Sequence, residues 1–204
     1  LKKSNLIRCL SLAICLLITG GINAQPSAAF TASQVSGCAP LSVRFTDRST
    51  GNPKYWNWDF GNGQLSSLQH PATSYSTPGT YTVQLVVRNP DGTDGITRAA
   101  YITVFPSPRA NFTTDLTTAC APTVIHFTDR STIPEGNIVS WDWEFGDGQR
   151  STQQNPSKSY NAAGYNDVSL TVTGANGCNS KASRPRLIRI INGITPELDR
   201  KSVV

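Results

Sequence analysis

The chain has 204 residues, 18 of them Lys or Arg and 13 Asp or Glu, for a formal net charge of +5. Lys2, Lys3 and Arg8 fall in the first 24 residues, where there is no acid, so the remainder carries 15 basic against 13 acidic residues and is nearly neutral. That balance gives no basic stripe for phosphates and argues against a nucleic-acid partner; only Lys181, Arg184, Arg186 and Arg189 gather, in and around an expected final strand.

Residues 1–24 read as a signal peptide: a basic start, an apolar stretch from Leu10 to Ile18, and a small-residue exit Ile22-Asn23-Ala24 before Gln25. The apolar stretch is short of the ~20 residues a bilayer crossing needs, so a secreted or cell-surface protein starting at Gln25 is expected, without membrane insertion once the leader is removed. Cys9 and Cys15 would leave with it, and Ile14 is too large for a lipoprotein box at Cys15.

From Gln25 onward the chain reads as short strands punctuated by Gly, Pro, Asn and Asp, and no helix is expected. Leu41-Ser42-Val43-Arg44-Phe45 alternates apolar and polar residues, as a strand with one wet face requires. The next strand places Trp56, Trp58 and Phe60 on one face and Tyr55, Asn57 and Asp59 on the other, because successive side chains point to opposite sides. Gly61-Asn62-Gly63 closes it as a turn. Another alternating strand, Tyr81 to Val87, follows Tyr75 and Gly79.

The chain then repeats itself. Phe45-Thr46-Asp47-Arg48-Ser49-Thr50 returns as Phe127 to Thr132, and Trp56-Asn57-Trp58-Asp59-Phe60-Gly61 returns as Trp141-Asp142-Trp143-Glu144-Phe145-Gly146. Phe30, Phe45 and Tyr75 recur as Phe112, Phe127 and Tyr160, which marks shared packing. Two homologous domains follow, 25–106 and 107–192, with residues 193–204 a tail or the start of a further module. About 80 residues is little for a self-sufficient core, so the motif aromatics Trp56, Trp58, Phe60, Trp141, Trp143 and Phe145 should supply much of it. Phe105-Pro106-Ser107-Pro108 is too short and stiff for a flexible tether, and predicts a semi-rigid rod.

The run W-x-W-[DE]-F-G-[DN]-G, followed by Tyr, Gly and an alternating V-x-L-x-V strand, resembles the PKD domain over nearly the whole of both copies. The resemblance implies an all-β chain of two tandem immunoglobulin-like β-sandwiches of extracellular, non-catalytic type. It departs from the family pattern at Asn62, where the family has aspartate, and at Glu144, where the first copy has Asp59.

Acids at matching positions invite an enzyme reading, but a glycosidase needs two carboxyl groups at a set separation, and the first copy keeps only Asp59 where the second has Glu144 and Asp147. Neither His70 nor His126 belongs to a nucleophile or zinc motif. No D-x-D-x-D-G run is present, so no cofactor is expected, with calcium the alternative because the oxygen ligands of turns suit it. Cys38 and Cys120 are equivalent, each opening a Cys-Ala-Pro segment, whereas the position matching Cys178 is Thr93. A Cys120–Cys178 disulfide with Cys38 as a free thiol is expected. Tyr55 does not recur, Ser140 taking its place, and Tyr165 has moved one position relative to Tyr81 and should face outward; these are the candidate ligand-binding aromatics. The function expected is a non-catalytic extracellular binding or spacer protein mediating cell-surface adhesion through proteins or polysaccharides. The alternative is the non-catalytic, substrate-presenting N-terminal part of a secreted protease or polysaccharide hydrolase.

Overall fold

The computed structural model describes residues 24–192. The signal peptide expected over 1–24, with Cys9 and Cys15, and the tail expected over 193–204 therefore lie outside the described residues, apart from Ala24.

Among the described residues every regular element is a strand. The first sandwich comprises β1 (Phe30–Ala32), β2 (Ser36–Cys38), β3 (Leu41–Asp47), β4 (Tyr55–Asp59), β5 (Leu65–Ser66), β6 (Ala72–Tyr75), β7 (Gly79–Asn89) and β8 (Gly92–Phe105). One sheet has the order β1-β3-β6 and the facing one β2-β8-β7-β4-β5. The second sandwich repeats this with β9 (Phe112–Thr114), β10 (Thr118–Ala121), β11 (Thr123–Asp129), β12 (Ile138–Glu144), β13 (Arg150–Ser151), β14 (Ser157–Tyr160), β15 (Gly164–Gly174) and β16 (Asn179–Asn192). Its sheets run β14-β11-β9 and β10-β16-β15-β12-β13. All pairings are antiparallel except β2 with β8 and β10 with β16.

Each core lies between its two sheets and is centred on one indole. Trp58 and Trp143 are fully buried, each packed edge-on against a phenylalanine from the small sheet, Phe30 at 5.3 Å and Phe112 at 5.1 Å between ring centroids. Phe45 and Phe60 complete the first cluster, Phe127 and Phe145 the second. Such aromatic pairs add to the stabilisation from buried area. Trp56 and Trp141, expected inside, are only half-buried at the margin of the core. Gly61 and Gly146 have φ of 72° and 85°, and a side chain there would meet the carbonyl of Thr82 or, at 2.6 Å, that of Asp167, so the motif's first glycine is required by close approach as well as by backbone conformation.

The expected Cys120–Cys178 disulfide is not the one formed. Cys38 and Cys178 are bonded, 5.6 Å apart at Cα, and Cys120 is the exposed free thiol. Strand length explains the correction. Cys120 lies opposite Ile191 near the far end of β16, while Cys178 precedes the first residue of that strand; at about 3.3 Å per residue the two are roughly 40 Å apart, beyond the reach of a disulfide. Cys38 instead pairs in register with Phe105, the last residue of β8, where the chain crosses to the second domain. The β15–β16 turn is one residue longer than the β7–β8 turn, so Cys178 faces Gly174 as Gly92 faces Asn89, and its counterpart is Gly92, not Thr93.

Two hydrogen bonds flank the bridge: Ser107 Oγ donates to Ala39 O at 2.6 Å, and Asn176 Nδ2 donates to Pro106 O at 2.8 Å.

Truncating the central indole removes its packing and leaves a cavity that the sandwich can close only in part. Trp58→Ala or Trp143→Ala should lower stability by ~3–5 kcal/mol, measured by urea denaturation, whereas Val35→Ala, at an exposed position, should change it by less than about 0.5 kcal/mol.

Candidate functional site

The motif's acids and indoles are held by internal partners. Asp47 Oδ2 accepts the indole N–H of Trp56 at 2.8 Å and the amide of Gln69 at 3.0 Å, and its Oδ1 accepts Ser49 N–H at 2.9 Å. The second domain repeats this with Asp129, Trp141 at 2.7 Å, Gln154 at 3.2 Å and Ser131 at 2.9 Å. The backbone N–H of each aspartate is also taken, by His70 Nδ1 in one copy and Asn155 Oδ1 in the other. His70 is thus a structural acceptor although exposed. Burial pushes both carboxyl groups up, but hydrogen bonds from the serine, the glutamine and the indole outweigh it, and both are held below the ordinary value. Sequence reasoning passed over this pair; the signal was the identical Phe-Thr-Asp-Arg-Ser-Thr in both copies.

The acids weighed for catalysis are similarly engaged. Asp59 Oδ1 accepts Gly61 N–H at 2.8 Å, closing the turn. Glu144 accepts from Lys181 at 2.7 Å and Ser169 at 2.8 Å and pairs with Arg150; these partners, Lys181 first, draw its carboxyl down to about 2. Asp147 accepts Gln149 N–H and pairs with Lys158, a side chain only 7% exposed, at 2.6 Å. The tyrosines behind the motif are bound as well: Tyr75 and Tyr160 donate their hydroxyls to Phe60 O and Phe145 O, and burial raises both hydroxyls above their ordinary range. No cluster of three or more His, Cys, Asp or Glu suited to a metal occurs among the described residues.

The basic group near the end of the chain is divided rather than shared. Lys181 goes to Glu144. Arg184 lies over the Phe112 ring at 4.7 Å, as Arg98 lies over Phe30 at 4.6 Å in the first domain. Only Arg186 and Arg189 face a ring left in solvent, that of Tyr165, at 4.0 and 5.9 Å.

The two candidate aromatics stand outside this framework. Tyr55 is 61% exposed on the outer face of the larger sheet, with the Arg88 guanidinium 5.0 Å from its ring centre, beside a depression of about 480 Å³ lined also by Asn89, Pro90, Gly92 and Thr93. Tyr165 is 51% exposed, whereas its displaced counterpart Tyr81 turns inward against Tyr75 at 4.6 Å. The fold does not bring these tyrosines together. Tyr55 pairs with Arg88 at the β7–β8 hairpin and Tyr165 with Arg189 late in β16, so each sits at the end of its domain away from the joint. The arginine partners were not visible in the sequence, because they depend on strand register. Each site offers a flat ring and a guanidinium, able to stack and to donate hydrogen bonds but without a nucleophile. A concavity of about 680 Å³ lies elsewhere on the second domain, between Glu144, Arg150, Asp167 and Lys181.

The PKD domain family matches residues 23–104 and 106–187. The chain is 30% identical over 166 residues to the pre-pro-metalloprotease PrtV of Vibrio cholerae, covering 76% of this chain and 17% of that protein. It is 34% identical over 87 residues to a microbial collagenase of Vibrio alginolyticus, covering 43% of this chain and 11% of that one. The crystal structure of the PKD1 domain of the Vibrio cholerae metalloprotease is 33% identical, covering 41% of this chain and 96% of that domain with a TM-score of 0.37. The chain thus spans less than a fifth of the length of these two proteases.

Asp47 and Asp129 ionise more readily folded than unfolded. Their contribution to stability is complete above the unfolded carboxyl range, near pH 4, and is lost as pH falls through the lower folded values. Urea midpoints should therefore hold steady between about pH 5 and 7 and drop below about pH 4. Asp47→Asn, which can turn an amide N–H toward the Trp56 N–H, should cost ~1–3 kcal/mol at neutral pH and flatten the acid limb. An acid limb of unchanged steepness would show that other carboxyl groups govern it.

Proposed function

Since this chain belongs to the PKD domain family, we propose that its two domains form a non-catalytic, substrate-presenting part of a secreted protease. The observation that carries this reading is the match to a metalloprotease through both domains, over 166 residues, with the chain covering only 17% of that protein. The similarity to a collagenase supports a fibrous protein as the material presented. This is the alternative of the two functions expected from sequence, and the protease relatives favour it over cell-surface adhesion. The chemistry of the motif agrees, since its carboxylates and indoles already have partners within the fold and leave no pair free for acid–base work. The surfaces available for contact then include the Tyr55–Arg88 and Tyr165–Arg186 pairs. The pair acts outside the cell, and one of its tyrosines lies against the substrate at each end.

Sedimentation with insoluble collagen, and in parallel with chitin and cellulose, tests the reading. Wild type should be retained on collagen, Tyr55→Ala and Tyr165→Ala should each be retained several-fold less, and none should hydrolyse it. Retention on the polysaccharides alone would transfer the role to a polysaccharide hydrolase, and retention on nothing would reduce the pair to a spacer.

A further inference from the structure

We propose that the Cys38–Cys178 disulfide carries tension past the stretch it encloses, so that a pull on the two ends of the pair cannot extend the segments that carry Trp58 and Trp143. The path follows from connectivity. Cys38 ends β2, near the start of the described chain, and Cys178 precedes β16, its last strand; 140 residues of sequence separate them. The bond closes that whole stretch into a covalent loop containing β3 to β15, with Trp58 and Trp143 inside it. Force entering at Ala24 runs along β1 and β2 to Cys38, crosses to Cys178 and leaves along β16. The peptide linker 105–108 and every strand within the loop lie off that path.

Only the flanking strands can then yield. β1 is held by three residue pairs to β3, β2 by three to β8, and β16 by its longer pairing with β15 on one side and by four pairs to β10 on the other. Their release withdraws Phe30, the edge-on partner of Trp58, from the first core and Ile188 and Ile190 from the second, and takes Arg189 from Tyr165, but the segments that carry the indoles and the Tyr55–Arg88 pair cannot extend. Extension stops when the stretches 24–38 and 178–192 are taut, at about 100 Å of chain for ~3.5 Å per residue. Without the bond the stretch from Cys38 to Cys178, a sequence separation of 140, also pays out, adding about 490 Å. The inference goes beyond the protease reading and is independent of what either tyrosine binds.

Single-molecule force spectroscopy on the mature chain, held by handles at both ends, tests it. All proteins carry Cys120→Ser at the exposed thiol, so that intermolecular bridges do not form. The oxidised protein should show a total contour release about 490 Å shorter than the same protein carrying Cys38→Ser, which should in turn show two large unfolding events. Cys38 is exposed, so its serine variant should fold. Should that variant give no unfolding events, the oxidised protein is treated at zero force with a trialkylphosphine, which takes its oxygen from water and leaves two thiols, and is pulled again; the same added length is expected. Equal release with and without the bond, or peptide mapping of the oxidised protein that finds Cys38 unbonded, overturns the proposal.

Discussion

An indole can be buried only if its N–H finds an acceptor, and that requirement shapes each of these small sandwiches. Trp58 and Trp143 are the largest side chains in their cores and are fully enclosed, so the ring nitrogen has no water to turn to. Each donates to a backbone carbonyl in the loop after the short edge strand, Leu68 O and Gln153 O, at 2.9 Å in both cases. The bond ties that loop across the core and sets where β6 and β14 begin. The second indole of each motif takes the complementary route, staying half-buried and donating to Asp47 or Asp129, which in turn holds the chain leaving β3 or β11. Two tryptophans two residues apart thus tie the larger sheet to chain of the smaller one, one from inside the core and one from its margin.

The repeats differ where this network does not reach. The outer face of the larger sheet carries Tyr55, Asn57, Asp59 and Leu65 in the first domain and Ser140, Asp142, Glu144 and Arg150 in the second. By strand register Gly95 stands where Lys181 pairs with Glu144. One face carries an exposed tyrosine with an arginine over its ring, and the other a set of ion pairs around Glu144 and Arg150. Such exposed pairs contribute little stability, so the divergence costs the fold little and leaves each face free to meet a different surface. An acid that accepts a turn amide in one copy and three side chains in the other is a position that tolerates change, as a reactive carboxylate would not.

Periodicity made the strands legible, because alternation in Leu41–Phe45 and Tyr81–Val87 specifies which side is buried, and the self-match of the chain exposed both domains. The buried aromatics were legible for the same reason. Pairing between distant strands was not. Which residue lies opposite Tyr55, or that β10 runs parallel to the last four residues of β16, depends on register between segments up to about 70 residues apart, and no local pattern encodes it. The Asp47–Trp56 and Asp129–Trp141 bonds were hidden in a hexapeptide that read as repeat signature alone. Trp56 and Trp141 were placed too deep because alternation marks the inward face but not how far the facing sheet extends over it.

The cysteines show how repeat logic could have been taken further. Cys38 and Cys120 are equivalent, and Cys178 has no equivalent. A disulfide within one domain would ordinarily recur in its copy, since the copies share strand lengths and the separations those lengths impose. An unmatched cysteine in a two-repeat chain is therefore more economically assigned to a bond between the repeats. The geometry gives the reason: the start of β16 faces the joint, its end faces away, and the cysteine of β2 lies at the joint while that of β10 does not. Repetition places the same thiol at the same corner of both domains, and only the first of those corners has a neighbour to bond to among the described residues.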